Sequence, residues 1–459
     1  MTNFIDDQRI LDLLEEGKKA TTEEIRAIIS KAKTCVGLSL EDVAALLQFD
    51  DPSLLQEVFE CANHIKNTIY GDRIVMFAPL YISNYCVNGC TYCGYKHSNE
   101  IARRRLTDEE LAKEALQIEA MGHKRIALEA GEDPKNCDID YVLHAMDVIY
   151  KTKSDNNGAI RRINVNVAAT TVENYKRLKA ADIGTYILFQ ESYHLPTYQK
   201  YHPNGPKSNY VYHLNAMDRA MEGGIDDVGV GALFGLHDYK YEVMGLMLHK
   251  EHLEEAFGVG PHTISVPRIK KAENVAVNEY PHALSDDDFR RLVGIIRLAV
   301  PYTGIILSTR ETAALREELI DAGVSQLSAG SKTDVGGYTE DDKMASQFEL
   351  SDERPQHEII AALLKKGRLP SYCTACYRAG RTGDRFMQVA KSGQIHNLCQ
   401  PNALLTLKEY LMDYADDELK ALGNKTINEH IAYIPNEKMR TNTIERLKEI
   451  EAGQRDLFF

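Results

Sequence analysis

The sequence predicts an α/β fold built on a closed (βα)8 barrel of TIM type, and three observations point to it. Eight short runs rich in β-branched residues recur along the middle of the chain. Amphipathic stretches with good helix starts separate them, and the whole pattern occupies about 260 residues, the usual length of an eightfold parallel barrel. A doubly wound open sheet shares the alternation; the count of eight favours closure.

The runs open at Arg73 (RIVMFAPLYIS), Arg125 (RIALEA), Arg162 (RINVNVAA), Thr185 (TYILFQE), Asp227 (DVGVGALFG), His262 (HTISVPRI), Gly304 (GIILSTRE) and Gln326 (QLSAGSK). Between them, Thr107 with Glu110 forms a capping box and Ser285 opens another helix. Residues 1–70 read as a helical cap, with apolar spacings at Ile10, Leu13 and Leu14 and again at Val43, Leu46 and Leu47. The barrel is expected over 71–335. A mostly helical C-terminal domain follows over 336–459, entered through the polar stretch KTDVGGYTEDDKMASQFELSDERPQHE. GVGALFG has neither the spacing nor the following helix start of a dinucleotide fingerprint. No repeat or low-complexity segment is evident.

With 54 basic and 68 acidic side chains the formal charge is −14, which argues against a nucleic-acid or anionic-membrane surface and for small-molecule or protein partners. The first residues carry acids from Asp6 on and no apolar core of a targeting peptide. No run approaches the ~20 apolar residues of a membrane span. The expected setting is the cytoplasm, where clustered cysteines point to metal or redox chemistry rather than disulfides. Cys35, Cys61 and Cys137 stand apart and read as small buried hydrophobes.

Six cysteines do cluster. Just past the first run, SNYCVNGCTYCGYKHS holds Cys86, Cys90 and Cys93 as CxxxCxxC. Three thiolates on one loop can hold three irons of a 4Fe-4S cube and leave the fourth iron open. Zinc, with His97 as fourth ligand, is the competing reading. The spacing, the aromatic Tyr92 before the third cysteine and the place after strand one resemble the radical S-adenosylmethionine (SAM) superfamily. The resemblance implies SAM chelated at the open iron. LEAGEDP matches the superfamily's Gly-Gly-Glu segment, with Ala130 in place of its first glycine. Contacts to SAM are implied for Tyr92, Ala130, Gly131, Glu132 and Asn166.

In a barrel, chemistry collects at the C-terminal strand ends, and side chains two apart share a face. Asn164 and Asn166 therefore point one way, and Ser308 and Arg310 another. A strand asparagine pair needs a polar interior. Arg310 can grip a carboxylate with two parallel hydrogen bonds, unless it pairs with Glu311 instead. The loop after strand four is crowded with Gln190, Glu191, Tyr193, His194, Tyr198 and His202, groups suited to acid, base or stacking roles. His262 falls at the N-terminal edge of strand six, where a core histidine is the ordinary reading.

A second trio lies far downstream: Cys373 and Cys376 in YCTACYRAG, then Cys399 after twenty-two residues. It too can hold a cube with an open corner, and Arg378, Arg381 and Arg385 can offset its negative charge. Zinc with His396 is the alternative. Taken together, the two trios, NVNVAATTVENY, FQESYH, GPHTISVPRI and STRE resemble the HydG family of FeFe-hydrogenase maturases, over essentially the whole chain. Only the barrel part is shared with the ThiH 2-iminoacetate synthases of thiamine biosynthesis, which lack the second trio. The resemblance implies a radical SAM tyrosine lyase that cleaves the Cα–Cβ bond of L-tyrosine to p-cresol and dehydroglycine. The latter would become carbon monoxide and cyanide at an auxiliary iron-sulfur cluster. It further implies an extra iron there, held through a bridging cysteine amino acid and His262, and a tyrosine carboxylate bound by Ser308 and Arg310, with Gln190 and Glu191 nearby. An electron donor such as ferredoxin or flavodoxin and other hydrogenase maturation proteins are the implied partners. A ThiH-like lyase and a non-enzymatic iron-sulfur carrier are the alternatives.

Overall fold

The computed structural model describes residues 2–340 and 345–459; part of the polar stretch behind the eighth run, 341–344, lies outside them. Four helices come first: α1 (Asp7–Gly17), α2 (Thr22–Ala32), α3 (Leu40–Leu46) and α4 (Pro52–Tyr70). Their starts are written in the sequence. Asp6, Thr21, Ser39 and Asp51 each accept a first-turn backbone N–H, and Thr21 and Ser39 do so within reciprocal capping boxes.

All eight expected runs contribute a strand: β1 (Arg73–Ser83), β2 (Arg125–Ala130), β3 (Arg162–Asn166), β4 (Tyr186–Ile187), β5 (Val228–Gly231), β6 (Thr263–Ser265), β7 (Gly304–Leu307) and β8 (Gln326–Ser328). Every neighbouring pair is parallel, and β1 bonds both β2 and β8, which closes the barrel. Around it run α5 (Asp108–Ala120), α6 (Ile139–Lys151), α7 (Val172–Ala180), α8 (Leu195–Tyr201), α9 (Tyr210–Leu214), α10 (Ala216–Glu222), α11 (Tyr239–Phe257), α12 (Asp286–Ala299) and α13 (Ala313–Asp321). Several strands are shorter than their runs. Ser308 and Arg310 accordingly stand just past the end of β7, and His262 one residue before β6.

Beyond β8 the chain forms α14 (Gln356–Lys365), a ninth strand β9 (Leu369–Ser371), then α15 (Gly383–Lys391), α16 (Ile395–Asp413), α17 (Asp417–Ile431) and α18 (Glu437–Glu451). The ninth strand was not expected: Leu-Pro-Ser is too short for a period to show. It pairs in parallel with the first three residues of β1, Arg73 to Val75, below the point at Ala78 where β2 begins to pair. Pro79 sits inside β1 without cost to a ladder, because β8 pairs only through Phe77 and the Tyr338 hydroxyl takes the Pro79 carbonyl. No helix among the described residues is long and apolar enough to cross a membrane.

The connection from β8 to α14 is anchored by a fully buried ion pair. Arg316 on α13 bonds Asp352, which also receives two hydrogen bonds of 2.9 Å from Arg354. Removing one partner of such a pair strands the other charge in a low dielectric. Asp352→Ala is expected to lower stability by about 3 kcal/mol, whereas Arg316→Met combined with Asp352→Leu recovers most of that loss. Urea unfolding of the three proteins checks it.

Candidate functional site

The loop after β1 is shaped by polar contacts more than by apolar packing. Asn84 bridges its two ends, accepting from Arg104 N–H at 2.7 Å and donating to Ala102 O at 2.9 Å. The Arg103 guanidinium donates to four carbonyls, those of Asn84, Tyr95 and Lys96 at 2.7 Å and Asn99 at 3.2 Å. That single fork holds Cys86, Cys90 and Cys93 turned toward a common cavity at the C-terminal mouth. All three thiols are free. Burial, reinforced by the neighbouring sulfurs, pushes the Cys93 thiol up to about 11 and that of Cys90 further. A cation at the trio reverses that penalty.

Around this upper cavity stand Tyr92, Ala130, Gly131, Glu132 and Asn166. Gly131 has no room for a side chain: a Cβ would lie 2.3 Å from Tyr85 O and 3.1 Å from the Cys86 Cβ. Glu132 accepts from Asn88 at 2.6 Å, its own carbonyl accepts from Val87 N–H at 2.8 Å, and burial raises its carboxyl. Tyr92 bonds His202 at 2.7 Å. Glu191, at a positive φ of 67°, is paired to Lys207 at 2.6 Å. Burial opposes the Lys207 charge, but Glu191 and Cys90 outweigh it and hold the ammonium above its ordinary value.

Deeper in the barrel lies a second cavity lined by Glu129, Asn166, Ser308 and Arg310. Asn166 donates to Glu129 at 2.7 Å, so the asparagine on β3 is turned to a carboxylate of β2. Arg310 lies flat on Phe348, 3.3 Å from the ring centroid, and among the described residues its guanidinium has no hydrogen-bonding partner. Glu311 is not its partner; that carboxylate pairs with Arg268 and Lys270. Phe348 and Gln347 belong to a lid that the polar stretch folds into. Gln347 O accepts from Gly94 N–H at 3.0 Å, and Tyr81 donates to the Gln347 side chain at 2.8 Å.

The second trio occupies the opposite mouth. Pairing of β9 with the start of β1 delivers Cys373 and Cys376 beneath the barrel, and the first turns of α16 bring Cys399. The neighbouring Cys376 thiol, together with burial, raises Cys373, while the same neighbour lowers Cys399. Cys373 itself sits at a positive φ of 49°, a strained region for a residue with a Cβ. Buried arginines surround the trio. Arg162 donates to Cys373 O at 3.1 Å and approaches its Sγ at 3.6 Å, while Arg73 bonds Gln400 at 2.9 Å and keeps its second terminal nitrogen unpartnered.

His262 lines this lower cavity with all three cysteines. Its ring meets Phe386 edge-on at 4.7 Å, its Nδ1 lies 3.6 Å from Asp227 without a hydrogen bond, and burial lowers its basicity. The N-terminal edge of β6, which by strand position alone is the wrong end of a barrel for chemistry, is thus the end that faces the second trio. Of the zinc ligands expected as alternatives, His97 is exposed and His396 is engaged elsewhere, bonding Thr68 O at 2.9 Å. Among the described residues no three His, Cys, Asp or Glu side chains close on a single ion. The lower cavity suits a polar guest, because two of its lining residues keep a buried nitrogen without a partner, Arg73 Nη2 and His262 Nδ1.

Of the sequence candidates, Gln190 is buried with its amide nitrogen unpartnered and does not line either upper cavity. No motif or spacing in the sequence gives a site role to Glu129, Lys207, Arg103, Phe348, Arg73 or Arg162. Glu129 was legible in principle, since it shares the parity of Ala127 on a lumen-facing strand; the lid residues carried no local signal.

Comparison with known proteins agrees with this geometry. The model of the radical SAM superfamily matches residues 80–249, and that of the Biotin and Thiamin Synthesis associated domain matches 265–368, across the boundary expected near 335. A 2-iminoacetate synthase of Escherichia coli is 28% identical over 390 residues, 84% of this chain and 100% of that protein. The crystal structure of HydG, a maturase of the FeFe-hydrogenase, superposes with a TM-score of 0.97 at 58% identity, covering 100% of both chains. HydG from Carboxydothermus hydrogenoformans superposes with a TM-score of 0.83 at 42% identity, covering 96% of this chain and 97% of that one. With its closed barrel and its two three-cysteine sites, the chain belongs to the HydG family of radical SAM maturases of the FeFe-hydrogenase.

Proposed function

We propose that the protein cleaves L-tyrosine at the Cα–Cβ bond to p-cresol and dehydroglycine, and turns the latter into carbon monoxide and cyanide for an Fe(CO)(CN) precursor of the hydrogenase H-cluster. One observation carries this reading: two open three-thiolate sites lie at opposite mouths of one barrel, with the unpartnered Arg310 beside the first and His262 beside the second.

Cys86, Cys90 and Cys93 would hold the 4Fe-4S cluster, with Gly131, Glu132 and Tyr92 around SAM. When bound, that pair supplies a 5'-deoxyadenosyl radical. The chain's part is to place the substrate. Arg310, held flat by Phe348, and Ser308 take the tyrosine carboxylate, and the lid of Gln347 and Phe348 keeps water out. Below, Cys373, Cys376 and Cys399 would hold the auxiliary cluster, and His262 a further iron alongside a bridging cysteine amino acid. Arg162 and Arg73 stabilise the thiolate charge there. A ferredoxin or flavodoxin donor and other maturation proteins are the partners this reading needs, in the cytoplasm.

Three outcomes follow. Cys90→Ala abolishes p-cresol and loses about four irons, while Cys376→Ala leaves p-cresol within a few-fold of the parent, eliminates cyanide and carbon monoxide and loses about five, the auxiliary cube with its further iron. Unchanged products in Cys376→Ala would turn the reading toward a 2-iminoacetate synthase. Arg310→Lys keeps the charge but loses the two-pronged grip, and the KM for tyrosine rises about 10- to 100-fold. His262→Ala keeps p-cresol formation and the auxiliary cube but loses about one iron, seen by iron analysis and spin resonance.

A further inference from the structure

Arg310 and Glu129 line the same inner cavity, yet neither is paired with the other within ion-pair distance among the described residues. Arg310 and the ionisable carboxyl of Glu129 face one buried space without a mutual contact, a gap suited to a guest that carries both signs, whose ammonium would itself favour the ionised form of Glu129. The remaining carboxylates of the upper cavity are committed. Glu191 belongs to Lys207, and Glu132 is turned to the cysteine loop through Asn88. Neither lines the inner cavity.

Glu129 is placed by simple parity. Arg125, Ala127 and Glu129 of β2 face the lumen, and in register Glu129 stands beside Asn166 of β3. Asn166 donates to Oε2, and Oε1 makes no hydrogen bond among the described residues.

We propose that Glu129 binds the ammonium group of the amino-acid substrate, so that Arg310 and Glu129 together recognise the two charges of a zwitterion, and that Glu129 then accepts one proton from that nitrogen. The inference rests on reading the cavity as the tyrosine site. In the transfer an N–H bond breaks heterolytically, the proton passes to the carboxylate oxygen, and the electron pair stays on nitrogen as a neutral amine. No electron changes hands. The amine retains the hydrogen atoms that a radical can remove.

The surroundings suit the exchange. Burial pushes the Glu129 carboxyl up to about 8, against the opposing pull of Asn166 and Arg310. That brings the carboxyl far closer to an amino group than a solvated carboxylate lies, which lowers the uphill cost of the transfer. Tyr81 of β1 and Tyr95 of the cysteine loop are the other titratable groups that sense it, and both stay neutral because burial raises them well above their ordinary value.

The test is equilibrium binding to the full-length, cluster-reconstituted protein with SAM and without reductant, which reads affinity rather than turnover. Three probes are compared: L-tyrosine, 3-(4-hydroxyphenyl)propanoate, which lacks the ammonium, and tyramine, which lacks the carboxylate. The parent protein should prefer tyrosine to each truncated probe by about 10-fold or more. Glu129→Gln should bring the ratio of tyrosine to the propanoate close to one and leave the ratio of tyrosine to tyramine intact; Glu129→Asp should restore part of the first ratio. A first ratio unchanged in Glu129→Gln overturns the inference, as does an equal loss for all three probes, the signature of a merely structural role. If the parent protein binds none of the three, the tyrosine assignment itself fails, and that is known before any variant is made.

Discussion

The arrangement depends on the length of one strand. At eleven residues β1 is longer than any other strand of the barrel, and its two ends serve different sites. Its last residues hand over directly to the Cys86, Cys90 and Cys93 loop, while its first three accept β9 as a parallel neighbour below the point where β2 starts. Backbone hydrogen bonds of this kind tolerate little slip, because a shift of one residue would turn every side chain to the other face. The ladder therefore sets the height of Cys373 beneath the barrel, and with it the separation of the two trios.

Between the mouths, the lumen is layered by the alternation of strand side chains. The lower layer contains Arg125 and Arg162, the middle the apolar cluster of Phe77, Ala127, Ile187 and Ile306, and the upper layer Glu129 and Asn166. Buried arginines are costly unless something negative lies close. Burial drives Arg125 down to about 9, whereas for Arg162 the neighbouring Cys373 and Asp227 outweigh burial and raise it. The lower site thus gathers cations around the second cysteine trio, and the upper site sets Arg310 opposite Glu129. That difference in charge layout is what the two proposed tasks would need, holding an electron-rich cluster and orienting a zwitterion.

The segment after β8 links these features. Its polar composition reads as a loop, and residues 345–352 form a lid: the Thr333 carbonyl accepts the Gln347 N–H, the Thr333 hydroxyl donates to the Phe348 carbonyl, and the Arg316 and Asp352 pair anchors the far end. Phe348 then serves as the plate on which Arg310 rests, which removes rotamer freedom from a long side chain before any ligand arrives.

By itself the sequence determined the eight strand runs and their alternation with helices, the helical character of the first 70 residues, both cysteine trios and the nearness of Ser308 to Arg310, since each rests on local period, spacing or a short motif; closure of the barrel it left to the pairing of β1 with β8. Parity alone could turn Glu129 to the lumen but not set it across a cavity from Arg310, and the short β9 left no signal. Nor could the sequence tell which mouth His262 serves, because the N-terminal edge of β6 becomes a site only once β9 and α16 bring three cysteines to it from more than a hundred residues away in sequence. Those decisions belong to tertiary structure for one physical reason. They depend on which groups share a cavity and remain unpaired in it, and neither is a property of any stretch of chain taken alone.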